Sequence, residues 1–172
     1  MAVKRLIAVA VAFVAAAGIA AGIVYVMYVY PERAAGPEQP IPFSHRLHVT
    51  VKEIDCRFCH NTVDRSAWPG MPPVAKCLFC HLQVIPEHPQ IRKLRAFFER
   101  GEPIPWNKVT WLPDHVQFQH DRHVTNGVAC EECHGDVAAM DRVREEHEFN
   151  MGFCLDCHRA RKAPTDCWGC HG

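Results

Sequence analysis

The sequence lacks the features of several common functional classes. Its formal net charge is zero, with 19 Lys and Arg against 19 Asp and Glu, so no basic surface of the kind that binds nucleic acid is indicated. It has no glycine-rich phosphate loop. The adjacent carboxylates Glu131–Glu132 and Glu145–Glu146 are typical of a solvated surface rather than of a catalytic pair. The sequence therefore assigns no catalytic residue.

Cysteine is absent outside one repeated motif, and that motif uses all ten cysteines in five copies of Cys-x-x-Cys-His. This is the attachment pattern of a c-type haem. Two thiols three positions apart can bond the two vinyl groups of one porphyrin, and the adjacent histidine then lies under the iron as proximal ligand. A disulfide scaffold would not place a histidine after every second cysteine, and zinc sites pair Cys-x-x-Cys units without that histidine.

We therefore predict five haem c groups. The expected thioether cysteines and proximal histidines are, in chain order, Cys56, Cys59 and His60; Cys77, Cys80 and His81; Cys130, Cys133 and His134; Cys154, Cys157 and His158; and Cys167, Cys170 and His171.

Long aliphatic stretches are also scarce beyond the first thirty residues. About 140 residues then remain for five haems, or roughly 28 per haem, fewer than the ~40 at which a chain usually folds without help. We therefore expect a mainly α protein with extensive irregular structure, in which the porphyrins fill the interior. By the logic of small metal-dependent domains, the soluble part should not fold without haem.

The N-terminal residues 1–30 are predicted to form a transmembrane signal anchor. Lys4 and Arg5 precede an apolar run from Leu6 to Tyr30, which as a helix would be about 37 Å long, enough to span a bilayer. A cleavable signal peptide is the alternative, since Ala15–Ala17 could suit a peptidase, but the apolar run continues well beyond it. The basic residues keep the N-terminus inside, so we expect a single pass through the inner membrane with the haem domain on the periplasmic side.

An internal repeat divides the rest of the chain. Phe43–Val49 and Phe118–Val124 both read F-x-H-x-x-H-V, and the second histidine of each lies seven or eight residues before a haem motif. The repeat predicts four segments after the anchor: a Pro-rich linker over 31–42, a di-haem module over 43–85, a helix-and-loop insert over 86–117 and a tri-haem module over 118–172.

Two helices are predicted away from the haem motifs. One runs from Pro89 to Arg100, with proline in its first turn and Gly101 just beyond its end. The other is predicted over residues 136–146, where Met140 shares a face with Val137 and Val143.

The repeated histidines are candidate distal ligands. Two histidines at positions i and i+3 of a helical turn project in related directions, so each could reach a different iron. A single such histidine would more often be solvated or in the core, but a duplicated pair before each haem cluster favours iron ligation. The predicted distal ligands are His45, His48, His120 and His123.

One iron then lacks a sixth ligand, and spacing does not choose among five side chains: Met140, Met151, His147, His115 and His88. A methionine ligand would raise the potential of that haem above that of bis-histidine neighbours. Met140 fits an ordinary core position equally well, because helical spacing always allows one. Met140 and Met151 both stand as candidate iron ligands.

The whole pattern resembles the pentahaem cytochrome subunit of alternative complex III. An anchor, F-S-H-R-L-H, two haem motifs, an insert, F-Q-H-D-R-H and three further motifs occur in that order. Met71–Pro73, Trp106 and Met151–Phe153 strengthen the resemblance, which covers most of the chain from Pro42 onward. It implies multihaem cytochrome modules of the class III or c7-like type, and in some members a fifth haem without a histidine as sixth ligand.

The resemblance also implies partners. They would be an iron–sulfur subunit, quinol-binding integral membrane subunits and a monohaem cytochrome of one respiratory or photosynthetic complex. Quinol would be oxidised in other subunits, and this chain would pass electrons to a periplasmic carrier or an oxidase without a catalytic site of its own.

Two other functional classes share some of these sequence features. A stand-alone membrane-anchored quinol dehydrogenase needs a haem near the membrane with a weak or open distal position, and the Pro-rich linker argues against that. A multihaem reductase of a small oxyanion needs one open iron. Seven non-proximal histidines for five irons argue against that.

The first testable prediction is the covalent load. Intact-mass measurement of the mature polypeptide should show the chain plus five haem masses, because each motif carries two thioether bonds. A mass without the five added haems would contradict the central interpretation of the sequence.

Overall fold

A computed structural model describes residues 2–30 and 35–172 of the chain. In these residues the regular secondary structure is helical. Its longest helix is α1 (Ala2–Val24), which continues as a π-helical turn over Tyr25–Val29. The other helical segments are a π-helical turn at Arg46–Val51, α2 (Cys56–Cys59), α3 (Val74–His81), α4 (Pro89–Glu99), α5 (His120–Thr125), α6 (Glu131–His134), a 3-10 turn at Val137–Ala139, α7 (Met151–Arg161) and a 3-10 turn at Cys167–Gly169.

No β-strand forms within the described ranges, and an isolated antiparallel bridge joins Val116 to His171. Short helices separated by irregular segments make up the remainder. The predicted fold class, mainly α with extensive irregular structure, is confirmed.

The N-terminal helix is a candidate membrane anchor. Ala2–Val29 forms a continuous helical span of 28 residues with a mean hydropathy of 2.6, and its apolar side chains are not buried against the rest of the protein. At 1.5 Å per residue it is about 42 Å long, more than the thickness of a bilayer's hydrocarbon core. A helix of this length and composition is what the sequence predicted.

A small aliphatic core lies between α3 and α4. Val74 and Leu78 of α3 are four residues apart, and Ile91 and Leu94 of α4 are three apart, so each pair forms one face of its helix. The core is completed by Ile41 and Ile104.

The insert helix matches its prediction. α4 begins after His88, whose ring Nδ1 accepts a hydrogen bond from the Gln90 amide at 3.3 Å, and Pro89 occupies its first turn. It ends before Gly101, which adopts a positive φ of 65°.

Of the linker predicted over 31–42, residues 31–34 lie outside the described residues. Its later part packs against the insert. The Gln39 side chain exchanges two hydrogen bonds with the Asn107 backbone, both 2.9 Å long. Lys93 Nζ donates to the Pro40 carbonyl at 2.6 Å, and Ile41 is buried in the core. The chain between anchor and haem modules is therefore attached to the insert.

The two repeats also contact the opposite modules. The first repeat and the adjoining Thr50 lie against residues 138–141, where four hydrogen bonds join them: Arg46 N to Met140 O at 3.0 Å, Thr50 Oγ1 to Ala138 O at 2.6 Å, Ser44 Oγ to Asp141 Oδ1 at 2.6 Å and Arg46 Nε to Asp141 Oδ2 at 3.1 Å. The second repeat lies against the loop after the first haem motif, where the amides of His120 and Asp121 donate to the carbonyls of Ala67 and Ser66. Each repeat is thus held by hydrogen bonds to the part of the chain that lies beyond the other repeat or its neighbouring motif.

The helix predicted over residues 136–146 is wrong. The structure has a single 3-10 turn at Val137–Ala139, and Met140 is extended with φ −92° and ψ 130°. The Asp136 carboxylate accepts a hydrogen bond from the Ala139 amide and closes that short turn. The chain after this turn is hydrogen-bonded to the first repeat through Met140 and Asp141. These tertiary contacts override the apolar periodicity.

The aliphatic core gives a stability prediction. Leu94 is 3% exposed, so Leu94→Ala should lower the free energy of unfolding of the haem-loaded protein by about 3 kcal/mol through lost burial and a residual cavity. The measurement is denaturant unfolding of the detergent-solubilised chain. The matched control is Leu82→Ala, since Leu82 is 53% exposed and should cost under about 1 kcal/mol. Equal losses for the two variants would contradict the assignment of the core.

Candidate functional site

Every cysteine motif lies on a helical turn. The first and third are α2 and α6, the second ends α3, the fourth lies within α7 and the fifth is a 3-10 turn. Residues three apart on such a turn share a face, so the two thiols of each motif project together. No disulfide joins any two of the ten cysteines. The arrangement suits two thioether bonds to one porphyrin.

Side-chain caps form some of these turns. Asp55 precedes α2 and accepts a hydrogen bond from the Arg57 amide at 2.7 Å. Asp166 precedes the fifth motif and accepts from the Gly169 amide at 3.1 Å. In the first, third and fifth motifs the amide of the histidine donates to the carbonyl of the first cysteine, at 2.9, 3.0 and 2.9 Å. That bond fixes where each histidine leaves its turn.

Three pairs of imidazoles face each other across a gap of nearly constant width. The ring centroids are 6.1 Å apart for His48 and His81, 6.3 Å for His120 and His134, and 6.0 Å for His123 and His158. Each pair joins a histidine of a repeat to a histidine of a cysteine motif. Two metal–imidazole bonds of about 2 Å each put the ring centroids about 6 Å apart. The donor set therefore fits one iron between the two rings of each pair.

His45 is placed beside His60. The pKa of His45 is lowered to about 4, chiefly by burial and to a smaller extent by the nearby His60 and His48. Its Nδ1 is buried and has no hydrogen-bond partner among the described residues. Burial also lowers the pKa of His134 and of His120. These rings are neutral near pH 7, and neutral imidazole is the form that binds a metal.

Hydrogen bonds to backbone carbonyls set the orientation of six rings. A carbonyl only accepts, so each bonded Nδ1 carries the proton and Nε2 is left as the free donor to iron. The six Nδ1–O distances are His48 to Ser44 at 2.8 Å, His123 to Gln119 at 2.8 Å, His120 to Ala67 at 2.8 Å, His60 to Gly70 at 3.0 Å, His81 to Val84 at 3.1 Å and His158 to Pro164 at 2.5 Å.

The phenylalanine that opens each repeat contacts both of its histidines. Phe43 meets His45 edge-on at 4.9 Å and stacks on His48 at 4.3 Å. Phe118 makes the same two contacts with His120 and His123, at 4.8 and 4.4 Å. The sequence showed these phenylalanines only as members of the repeat, whereas the structure gives them a part in orienting the rings.

Gly70 allows one of the carbonyl contacts. Its φ is +71°, and a Cβ there would lie 2.5 Å from Thr62 Oγ1. A residue without a side chain lets the backbone turn so that the Gly70 carbonyl meets His60 Nδ1. Sequence reasoning missed this residue, and an isolated glycine ten positions after a haem motif is too weak a signal to find it.

The remaining ligand candidates are scattered. Met140 is 5% exposed and lies against the first repeat, while Met151 is 65% exposed in the first turn of α7. His88 caps α4 through Nδ1, and His147 stacks on Phe153 at 5.3 Å. His115 stacks on His171 of the fifth motif at 5.4 Å.

The carboxylate of Glu132 links two of the cysteine motifs. Glu132, inside the third motif, pairs with Arg161 of α7 at 2.5 Å and accepts from the Ala129 amide at 3.0 Å. The backbone hydrogen bond from Ala129 lowers the pKa of Glu132, and the bond from Arg161 lowers it further. The pair connects the third motif to the helix of the fourth, and the Glu132 side chain remains exposed, as the sequence predicted.

The Gly70 turn gives a prediction with a matched control. Gly70→Ala and Gly127→Ala both place a side chain at positive φ, which costs about 1 kcal/mol or more. Gly70→Ala should cost more, because Thr62 must also move, and it should shift the midpoint potential of one haem by disturbing His60. Unfolding and redox titration of the haem-loaded variants measure both effects. Identical behaviour of the two variants would contradict the role given to Gly70.

Comparison with known proteins agrees with this geometry. Residues 116–172 match the family described as cytochrome c7 and related cytochrome c. Over 182 aligned residues the chain is 27% identical to the menaquinone reductase multiheme cytochrome c subunit of Nitratidesulfovibrio vulgaris. That alignment covers 90% of this chain and 87% of the relative. With its helical fold and its cysteine motifs on helical turns, the matched region is a c7-like multihaem cytochrome c domain that binds c-type haem.

Proposed function

We propose that the chain carries five haem c groups and acts as the membrane-anchored electron-transfer subunit of a complex that exchanges electrons with a quinone pool. The observation that carries this proposal is the set of opposed imidazoles 6.0–6.3 Å apart, each pair including the histidine of a cysteine motif. Bound haem supplies reversible one-electron chemistry at iron. The chain's own residues hold, orient and space the irons.

Three of the four proposed ligand pairs follow ring contacts, and the fourth follows the electrostatic effect of His60 on His45. His48 serves with His81, His120 with His134, His123 with His158, and His45 with His60. Each repeat then holds two irons from one helical turn, because its two histidines are three residues apart. The two irons held by one repeat are thereby kept as neighbours, which is what stepwise electron transfer requires.

Contacts between the modules support a continuous path. His120 of the second repeat bonds to Ala67, in the loop between the first two haem motifs. The nearby His60 lowers the pKa of both His120 and His134. The first haem of one module is therefore proposed to lie next to the first haem of the other, so that electrons pass between modules.

The N-terminal helix and the basic residues near its start support a location for the haem domain. Lys4 and Arg5 favour an inside N-terminus, which puts the haem domain on the periplasmic side of the inner membrane. The helix Ala2–Val29 is long enough for one crossing. The proposal includes retention of this helix in the mature protein as an uncleaved anchor.

The partners are proposed from the two likenesses. The resemblance to the pentahaem subunit of alternative complex III favours quinol oxidation by other subunits, with an iron–sulfur subunit, integral membrane subunits and a monohaem cytochrome as neighbours. Electrons would leave for a periplasmic carrier or an oxidase. The relative's name, a menaquinone reductase subunit, favours a second candidate function, in which electrons run through the haems toward quinone.

A stand-alone multihaem quinol dehydrogenase is the other alternative. It would need an iron with an open or weak sixth position close to the membrane. Four of the five motif histidines already have a histidine proposed opposite them, and the chain after the anchor is bonded to the insert rather than to a haem motif. The subunit proposal therefore accounts for more of the described contacts.

Gentle detergent extraction tests the proposal. The anchored chain should co-purify with a large iron–sulfur protein and multi-span membrane proteins. A matched version, with residues 1–30 replaced by a cleavable signal peptide, should keep its haems and lose most of the membrane proteins. Haem reduction by added quinol, or haem oxidation by added quinone, would then give the direction of electron flow. Recovery as a lone protein that oxidises quinol would contradict the subunit proposal.

A further inference from the structure

A histidine from the insert faces the fifth haem motif. The His115 ring lies 5.4 Å from the His171 ring, centroid to centroid, with the planes 21° apart. At 5.4 Å this pair is closer than the other three pairs, which are 6.0–6.3 Å apart, so the two rings must separate slightly for an iron to lie between them. As in those pairs, one ring belongs to a cysteine motif and the other to a different segment. The family match covers residues 116–172, so it begins just after His115 and does not include it.

Backbone contacts hold this segment beside the fifth motif. Val116 forms the antiparallel bridge with His171, and the Gln117 amide donates to the Cys170 carbonyl at 2.8 Å. The Val116 amide donates to the Pro113 carbonyl at 2.9 Å, which closes a turn with His115 as its third residue. The position of His115 is therefore set by its backbone on both sides and not by a freely rotating loop.

The competing side chains lie in other surroundings. Met140 is buried at the contact with the first repeat. Met151 is exposed and lies just before the fourth motif, where His158 already faces His123. His88 caps α4 and His147 stacks on Phe153.

We propose that His115 is the sixth ligand of the iron attached through Cys167, Cys170 and His171, so that all five irons are held by two histidines. This inference rests on the proposed binding of five haems. It gives the insert over 86–117 a function, because one of its turns supplies the ligand that the F-x-H-x-x-H-V repeats do not. Met140 and Met151 then have no iron to bind.

The ligand assignment has a chemical consequence. An iron closed on both sides by imidazole has no position for a small substrate and exchanges electrons only through its porphyrin edge. Its potential is also lower than that of an iron with a methionine ligand. The last haem is therefore a point of electron exchange with another cofactor and not a site of oxyanion or quinol chemistry.

The test removes the His115 ring from the full-length, haem-loaded protein. His115→Ala should convert one haem in five to the high-spin state in its absorption and electron paramagnetic resonance spectra. The reduced variant should bind one equivalent of carbon monoxide per chain, whereas the parent should bind none. Added imidazole should restore the low-spin spectrum. His115→Met should raise the potential of one haem and leave the other four unchanged.

The matched controls are Met151→Leu, Met140→Leu and His147→Ala, which should all remain low-spin. The inference is overturned if His115→Ala keeps every haem low-spin, or if one of the controls becomes high-spin. Near-infrared magnetic circular dichroism of the unsubstituted protein gives a second measurement, should His115→Ala fail to accumulate. Bands of bis-histidine haem alone are expected, and a methionine–histidine band would overturn the assignment.

The two proposals fail in different ways. A mass with fewer than five haems on the parent chain contradicts the proposed function. Five haems together with a silent His115→Ala substitution contradict the ligand assignment alone.

Discussion

The structure depends on imidazole rings that face each other about 6 Å apart. His48 and His81, His120 and His134, and His123 and His158 are brought together from distant positions, although the helices that carry them pack little against one another. The aliphatic core is confined to the contact of α3 and α4 with the chain around Ile41 and Ile104. Large apolar side chains beside the motifs, such as Phe79 at 79% and Trp168 at 86% exposure, find little cover within the chain. The proposed ligand pairs would therefore take the place of the extended hydrophobic contacts of an ordinary domain.

The backbone, more than the side chains, aims these rings. Six of them donate from Nδ1 to a main-chain carbonyl, and the phenylalanine of each repeat contacts both of its histidines. Ring orientation is thus insensitive to most substitutions nearby and sensitive to changes that move the chain, as at Gly70. The repeats also lean on each other's modules through Met140, Asp141, Ser66 and Ala67. Two local sequence patterns have become one interdependent arrangement.

These features favour a conductor of electrons over an enzyme with a substrate site. With histidines proposed on both sides of every iron, no metal position is left for a small molecule. An apolar N-terminal helix and a relative named as a subunit of menaquinone reductase both favour work beside a membrane complex. The chemistry at quinone would then belong to neighbouring subunits, and this chain would set the distances and potentials along the way.

The sequence alone determined what covalent spacing encodes: the five cysteine motifs, the duplicated F-x-H-x-x-H-V turn, the apolar N-terminal helix and the insert helix with its proline start and glycine stop. These signals are local, because a residue three or four positions away along a helical turn is close in any fold. Only the tertiary structure decided that residues 136–146 form a short turn and an extended segment, since contacts with the first repeat outweigh their periodicity. It also brought His115 to His171 across more than fifty residues, through a bridge that no local pattern announces, because contacts between distant segments depend on how the whole chain packs.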